Sequence, residues 1–325
     1  MNRQIKNILV GTSLSKASDE VVGKALELAR STKARLHVAH AYAPPASLAG
    51  DPYVPWVDPG LMQIEAQAAR EAVEAQLDRL GADRGRETGS ITVRPGPADR
   101  VLLDVAAVIG ADLLVVGGVE PGHLLQRLLG STADRLLRQS TCPVLVLRGD
   151  LSLPPRRVLM PVDLSPLSAD ACKAGLGFLG QVSAAEPPTV EALLVLVPYP
   201  RQMPFQFSPS EARHMVAREL QQFVLKASEG ADHVWTNLRT GDAGAEILNE
   251  LREWPADLVI VGTHGYSGFT RFLLGSVAGY VAQEAPCSVL VLPPEEALRA
   301  ALAAERARNA ENGLMPVHSV MAAAG

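Results

Sequence analysis

The chain repeats itself once, at a nearly constant distance. Residues 111–147 read ADLLVVGGVEPGHLLQRLLGSTADRLLRQSTCPVLVL, and residues 256–292 read ADLVIVGTHGYSGFTRFLLGSVAGYVAQEAPCSVLVL. Asp112 and Asp257, Gly117 and Gly262, Gly130 and Gly275, Ser131 and Ser276, and Cys142 and Cys287 all lie 145 positions apart, as do Gly96 and Gly241. Nearer the start, NILVGTSLSKAS (7–18) aligns with RVLMPVDLSPLS (157–168) at an offset of 150, so the halves differ by five residues net in their middles. A unit of this length has the size of a domain, whereas solenoids repeat every 20 to 50 residues or so. The chain is therefore expected to fold as two related domains in tandem.

Each copy reads as β-α-β-α-β-α-β-α-β. In the first, strand 7–11 leads to a helix over 18–31, strand 35–42, a Pro-rich connection through Pro59 and a helix over 62–80. Strand 90–94, helix 100–109, strand 112–117, a glycine loop, helix 131–139 and strand 143–148 follow. The strands are unbroken Val/Leu/Ile runs, which suit a parallel sheet buried on both faces by helices. GDLSLPP (149–155) is the natural linker, and VPYPRQMPFQFSPSE (197–211) is a second Pro-rich connection, serving as a lid, an interface arm or a plain solvent-facing loop. The organisation expected is a first domain over 1–149, a second over 155–297 and a tail over 298–325.

The segment VGTHGYSGFTRFLLGS (261–276) carries the chemistry. Gly262, Gly265 and Gly275 frame a loop between the strand DLVIV (257–261) and a helix beginning near Ser276. Glycines let backbone N–H groups approach an anion without a Cβ in the way, and a helix N-terminus adds its positive dipole end. Strand, glycine loop and helix together form the layout of a nucleotide site at the carboxyl edge of a parallel sheet. Neither copy contains GxxxxGK[ST], so a P-loop reading lacks its motif.

The spacing G-x2-G-x9-G-S resembles that of the ATP-binding members of the universal stress protein family, and the resemblance spans nearly the whole chain twice. It implies two Rossmann-like domains of the adenine nucleotide alpha hydrolase type, each a five-stranded parallel sheet with helices on both faces. It further implies that main-chain groups of Val162 and Leu196 meet adenine and that Asp163 accepts hydrogen bonds from the nucleotide. Gly262, His264, Gly265, Gly275, Ser276 and Val277 would surround the triphosphate. The ligand implied is ATP, with or without Mg2+. Asp163 has a second use as a cap for the following helix. His264 fits a phosphate contact, a general base or a backbone-bonded loop residue, and Arg271 a phosphate partner or a solvated surface group.

The first copy departs where it matters most. Ser13 stands in place of Asp163 and Glu120 in place of Gly265, which brings a Cβ and a negative charge beside the expected phosphate path. The first half is thus expected to keep the fold without the ATP site, or to hold a different ligand.

Composition narrows the partners. The net charge of −5 with no basic cluster argues against nucleic acid, and aromatics at 4% argue against base-stacking platforms. No apolar run reaches the ~18 residues that span a bilayer. Cys142, Cys172 and Cys287 form no CxxC pair and read as buried thiols in a reducing cytoplasm. His37 and His40, three apart on one strand, point to opposite faces, which disfavours a shared metal. PVLVL (143–147) and SVLVL (288–292) each end a copy in an apolar strand that needs covering, so the halves are expected to pack as an intramolecular pseudo-dimer, with a homodimer of chains as an extension. The functions in view are an ATP-binding regulatory or protective stress module, a slow ATP hydrolase, and a nucleotide-free interaction scaffold.

Overall fold

A computed structural model describes residues 4–43, 59–118, 129–149, 151–183, 186–197, 209–230, 233–263 and 274–294. The first half runs β1 (Asn7–Thr12), α1 (Lys16–Thr32), β2 (Arg35–Tyr42), α2 (Pro59–Arg79), β3 (Thr88–Pro95), α3 (Ala98–Ile109), β4 (Leu113–Gly117), α4 (Ser131–Gln139) and β5 (Val144–Leu147). The second runs β6 (Arg157–Val162), α5 (Pro166–Val182), β7 (Thr189–Leu196), α6 (Pro209–Ala227), β8 (Val234–Thr240), α7 (Ala243–Glu253), β9 (Leu258–Gly262), α8 (Ser276–Glu284) and β10 (Ser288–Leu292). These elements match the repeat read from the sequence, strand for strand and helix for helix.

Within each half the strands are parallel, in the orders β3-β2-β1-β4-β5 and β8-β7-β6-β9-β10. The order reverses between β1 and β4 and again between β6 and β9, which opens a crevice at the carboxyl ends of those strands. The two terminal strands then pair antiparallel, Val289 with Val146, Leu290 with Leu145 and Val291 with Val144. Each apolar edge is thereby covered by the other, and the described strands form one ten-stranded sheet.

The alternation of side chains along these strands sorts the core into layers. Ile8, Val10, Leu113, Val115, Leu145, Leu290, Leu258, Ile260, Val158 and Met160 face α1, α2 and α5. Leu9, Leu114, Val116, Val144, Val146, Val289, Val291, Val259 and Leu159 face α3, α4, α7 and α8. Both layers run through the β5–β10 seam without a break, and α1 packs on α5 across it. A smaller cluster of Val162, Ala192, Leu194, Leu220, Val224 and Leu238 lies under α6.

The conserved spacing of the two halves also has a structural use at the amino end of the sheet. Asp112 Oδ2 accepts from the backbone N–H groups of Lys6 and Asn7, and Asp257 Oδ2 accepts from those of Arg156 and Arg157. Each carboxylate pins the first strand of its half beside the fourth. The two strand histidines are packed individually, His37 between Ser90 and Asn7 and His40 against the Thr12 carbonyl.

Candidate nucleotide-binding site

The crevice of the second half is built from the ends of β6, β7 and β9 and the start of α8. Val158 and Leu159 pair with Leu258 and Val259, a register that carried forward sets Val162 level with Gly262. Val162 is buried, Leu196 ends the neighbouring strand, and the Leu196 carbonyl accepts from Gly241 N at 2.9 Å. Thr263 follows Gly262 and is tied to β10 through its N–H on the Leu292 carbonyl.

The glycine loop closes through its backbone. Gly275 N donates to Thr263 O at 2.7 Å, which draws the head of α8 onto the end of β9. A Cβ at Gly275 would stand 3.0 Å from that same carbonyl oxygen, so the close approach demands glycine. The first half closes identically, with Gly130 N donating to Gly118 O at 3.0 Å. His264 and Gly265, and with them Arg271 and Glu120, lie outside the described residues.

No side chain caps α8 at Gly275, and its first turn contains no acidic residue. Ser276 and Val277 are exposed there. The helix therefore presents N–H donors and the positive end of its dipole with no anion of its own to satisfy them. Helix α4 also lacks a side-chain cap, but its first turn holds Asp134, in a salt bridge with Arg138.

Asp163 stands at the turn from β6 into α5. Its Oδ1 accepts from Ser165 N at 3.0 Å, and its own N–H donates to Ser168 Oγ at 3.2 Å. The helix cap proper is Ser165, whose Oγ accepts from Ser168 N. The cap expected of Asp163 thus falls to Ser165, and Asp163, which is not buried, instead braces the turn ahead of the helix. Between them Leu164 adopts φ 64°, as Leu14 adopts φ 62° after Ser13. Leucine in the left-handed region costs roughly 1 kcal/mol or more, so the same strained turn is kept in both halves at the mouth of the crevice.

The walls differ between halves. Where Val162 joins an apolar cluster with Leu194, Leu220 and Val224, the first half has Thr12, whose Oγ1 lies 2.9 Å from Gln76 Oε1 and 3.0 Å from Ser18 Oγ. Gln76 is fully buried and donates to Asp19 Oδ1 at 2.6 Å, and Asp19 in turn accepts from Arg79. One crevice is walled by hydrocarbon and the other by a closed hydrogen-bond network. Ser13 itself hydrogen-bonds Ser15.

Sequence reading missed Thr263, Leu164 and Gln76. Thr263 was within reach as the neighbour of Gly262. The other two act through conformation or through a partner distant along the chain, which no local spacing reports.

Two doubly wound domains, each with a glycine loop ending in an uncapped helix at its switch point, define a tandem Rossmann-like α/β architecture. The chain belongs to the universal stress protein family, whose family model matches residues 4–148 and again 155–293. A universal stress protein of Mycolicibacterium smegmatis is 30% identical over 302 residues, covering 88% of this chain and 97% of the relative. Universal stress protein Rv2319c of Mycobacterium tuberculosis is 28% identical over 303 residues, covering 88% and 99%. Among solved structures, a universal stress protein from Archaeoglobus fulgidus superimposes with a TM-score of 0.56 at 18% identity, covering 89% of this chain and 96% of that one. That last likeness concerns the fold alone. No described helix is long and apolar enough to cross a membrane.

Proposed function

We propose that the chain binds one ATP, in its second half, and works as a nucleotide-dependent regulatory or protective module of the stress response. The observation that carries this reading is the head of α8: an uncapped, acid-free helix N-terminus drawn by the Gly275–Thr263 bond onto the β6/β9 switch point. Backbone donors of Ser276 and Val277 would take the phosphates, with Gly275 closing the loop onto Thr263 O and Gly262, His264 and Gly265 completing it. The apolar wall around Val162 and Leu196 suits a purine, and the Asp163 carboxylate would accept from a ribose or base. In the first half Asp134 and the Thr12–Gln76 network work against the same ligand.

Mass analysis of the nucleotide released by acid from the purified protein, paired with calorimetry, tests this. One ATP per chain is the expected result. Two per chain would show that working and silent halves are wrongly assigned, and none at saturating nucleotide would overturn the nucleotide reading itself.

A further inference from the structure

Arg148 follows β5 directly and reaches out of the first half into the second. Its Nη1 donates to Ala285 O and its Nη2 to Gln283 O, both at 3.0 Å. Its backbone N–H donates to Ser288 Oγ at 3.0 Å, and the Ser288 hydroxyl donates in turn to Arg148 O at 3.2 Å. Ala285 is the C-cap of α8, and Gln283 lies in its last turn. Arg148 thus satisfies carbonyls that a helix end leaves without partners, and sets a cation at the negative end of the dipole. Helix α8 has no basic residue of its own in that turn, whereas α4 has Arg138.

The stem of Arg148 rests on the glycine loop of the first half. A Cβ at Gly118 would stand 2.9 Å from Arg148 Cγ and 3.3 Å from Leu147 O. Gly118 is fixed by two backbone bonds, donating to Leu147 O and accepting from Gly130 N. A contiguous path therefore runs from the Gly118–Gly130 closure, through the arginine stem, to the far end of the helix whose near end faces the candidate phosphate site. The repeat offers no return path. The position 145 residues beyond Arg148 is Pro293, which has no donor to give to α4.

We propose that Arg148 is a positioning residue that couples the first half's glycine loop to the phosphate-facing helix of the second half, giving the first half a role in tuning the second. Helix α8 is only nine residues long, so anchoring its last turn fixes the aim of its first. The proposal rests on the reading that ATP sits at the head of α8, and the experiment keeps the two apart.

Calorimetry with ATP and with adenosine, and hydrogen exchange of α8 without nucleotide, are measured on the full chain and on Arg148→Gln, Arg148→Lys and Gly118→Ala. Arg148→Gln should weaken ATP by roughly three- to tenfold, leave adenosine within about twofold, and speed exchange in α8. Arg148→Lys, which keeps the cation, should recover part of the ATP affinity. Gly118→Ala should repeat the ATP-selective loss with the guanidinium still present, and it carries the test if Arg148→Gln does not fold. Equal losses for ATP and adenosine, or unchanged α8 exchange in both Arg148→Gln and Gly118→Ala, overturn the proposal. Should the wild type bind no ATP, the nucleotide reading fails on its own, and unchanged α8 exchange in Gly118→Ala would still refute the coupling.

Discussion

At the residue scale, the two halves contain the same glycine under the same crowding and are expected to respond differently. Alanine at Gly275 or Gly130 places a Cβ 3.0 Å from a backbone oxygen, Thr263 O in one case and Gly118 O in the other. Backbone cannot swing aside as a side chain tip does, so each loop must open. Gly275→Ala should abolish ATP binding, while Gly130→Ala should lower stability and leave ATP stoichiometry at the wild-type value; calorimetry beside a denaturant titration checks both. Asp163→Ser should weaken ATP by about 1.5–3 kcal/mol if its carboxylate accepts from the nucleotide. Equal affinity in Asp163→Ser would reduce Asp163 to the turn-stabilising role its bond to Ser165 N already shows.

At the element scale, β7, β8 and α7 of the second half are joined by a polar cluster that runs from the buried Glu191 and Glu250 to the exposed Glu253. Glu191 on β7 is 2% exposed and accepts from Asn237 Nδ2, which also donates to Glu250 on α7. Arg239 on β8 donates to Glu250 and Glu253 and approaches Glu246. Burial pushes the Glu191 carboxyl above its ordinary value, Asn237 opposes this, Glu250 adds to it and Arg239 opposes it. The folded state then holds the Glu191 proton to higher pH than the unfolded chain does, so this residue's contribution to stability falls as pH rises from about 4.3 through the raised value. Glu191→Gln removes that loss. Denaturant titrations across the window should show the variant gaining on the wild type as pH rises and a flat difference below it; a difference that is flat throughout would contradict the shift.

The elements were legible because their cause is local. Runs such as LLVV in β4 and VLVL in β5 bury both faces of a strand, and at the heads of α1 and α5 the Leu-Ser pairs 14–15 and 164–165 supply Ser15 and Ser165, which cap through their hydroxyls. The glycine spacing likewise located the loop, since only glycine tolerates the approach of Gly275 to Thr263 O. What could not be read is what depends on partners far along the chain. Gln76 meets Thr12 across 64 positions and Arg148 meets Ala285 across 137, and neither side chain sits in a pattern that names its partner. The left-handed leucines are opaque for another reason: leucine is a poor choice for that conformation, so sequence preference points away from it.

At the scale of the whole molecule, the sheet and both major core layers pass through the seam. Unfolding one half would expose the terminal strand and helix faces of the other, so the halves should melt together. Leu145 in β5 and Leu290 in β10 are opposite each other and fully buried. Leu145→Ala and Leu290→Ala should each cost about 2–5 kcal/mol and shift one common transition. Two resolved transitions by calorimetry, each sensitive to only one of the substitutions, would show the halves to be independent. Solution scattering should correspondingly show a single joined body rather than two lobes swinging on the 149–155 linker.

The antiparallel meeting of β5 and β10 has a further consequence for how the protein behaves on dilution. A pair of separate chains joined through such strands would part as their concentration fell below the dissociation constant. Here both strands belong to one polypeptide, and a short tether keeps partners at an effective concentration on the order of millimolar whatever the number of molecules present. The seam, and the Arg148 contact beside it, are therefore as complete in a cell that holds a few copies as in one that holds thousands.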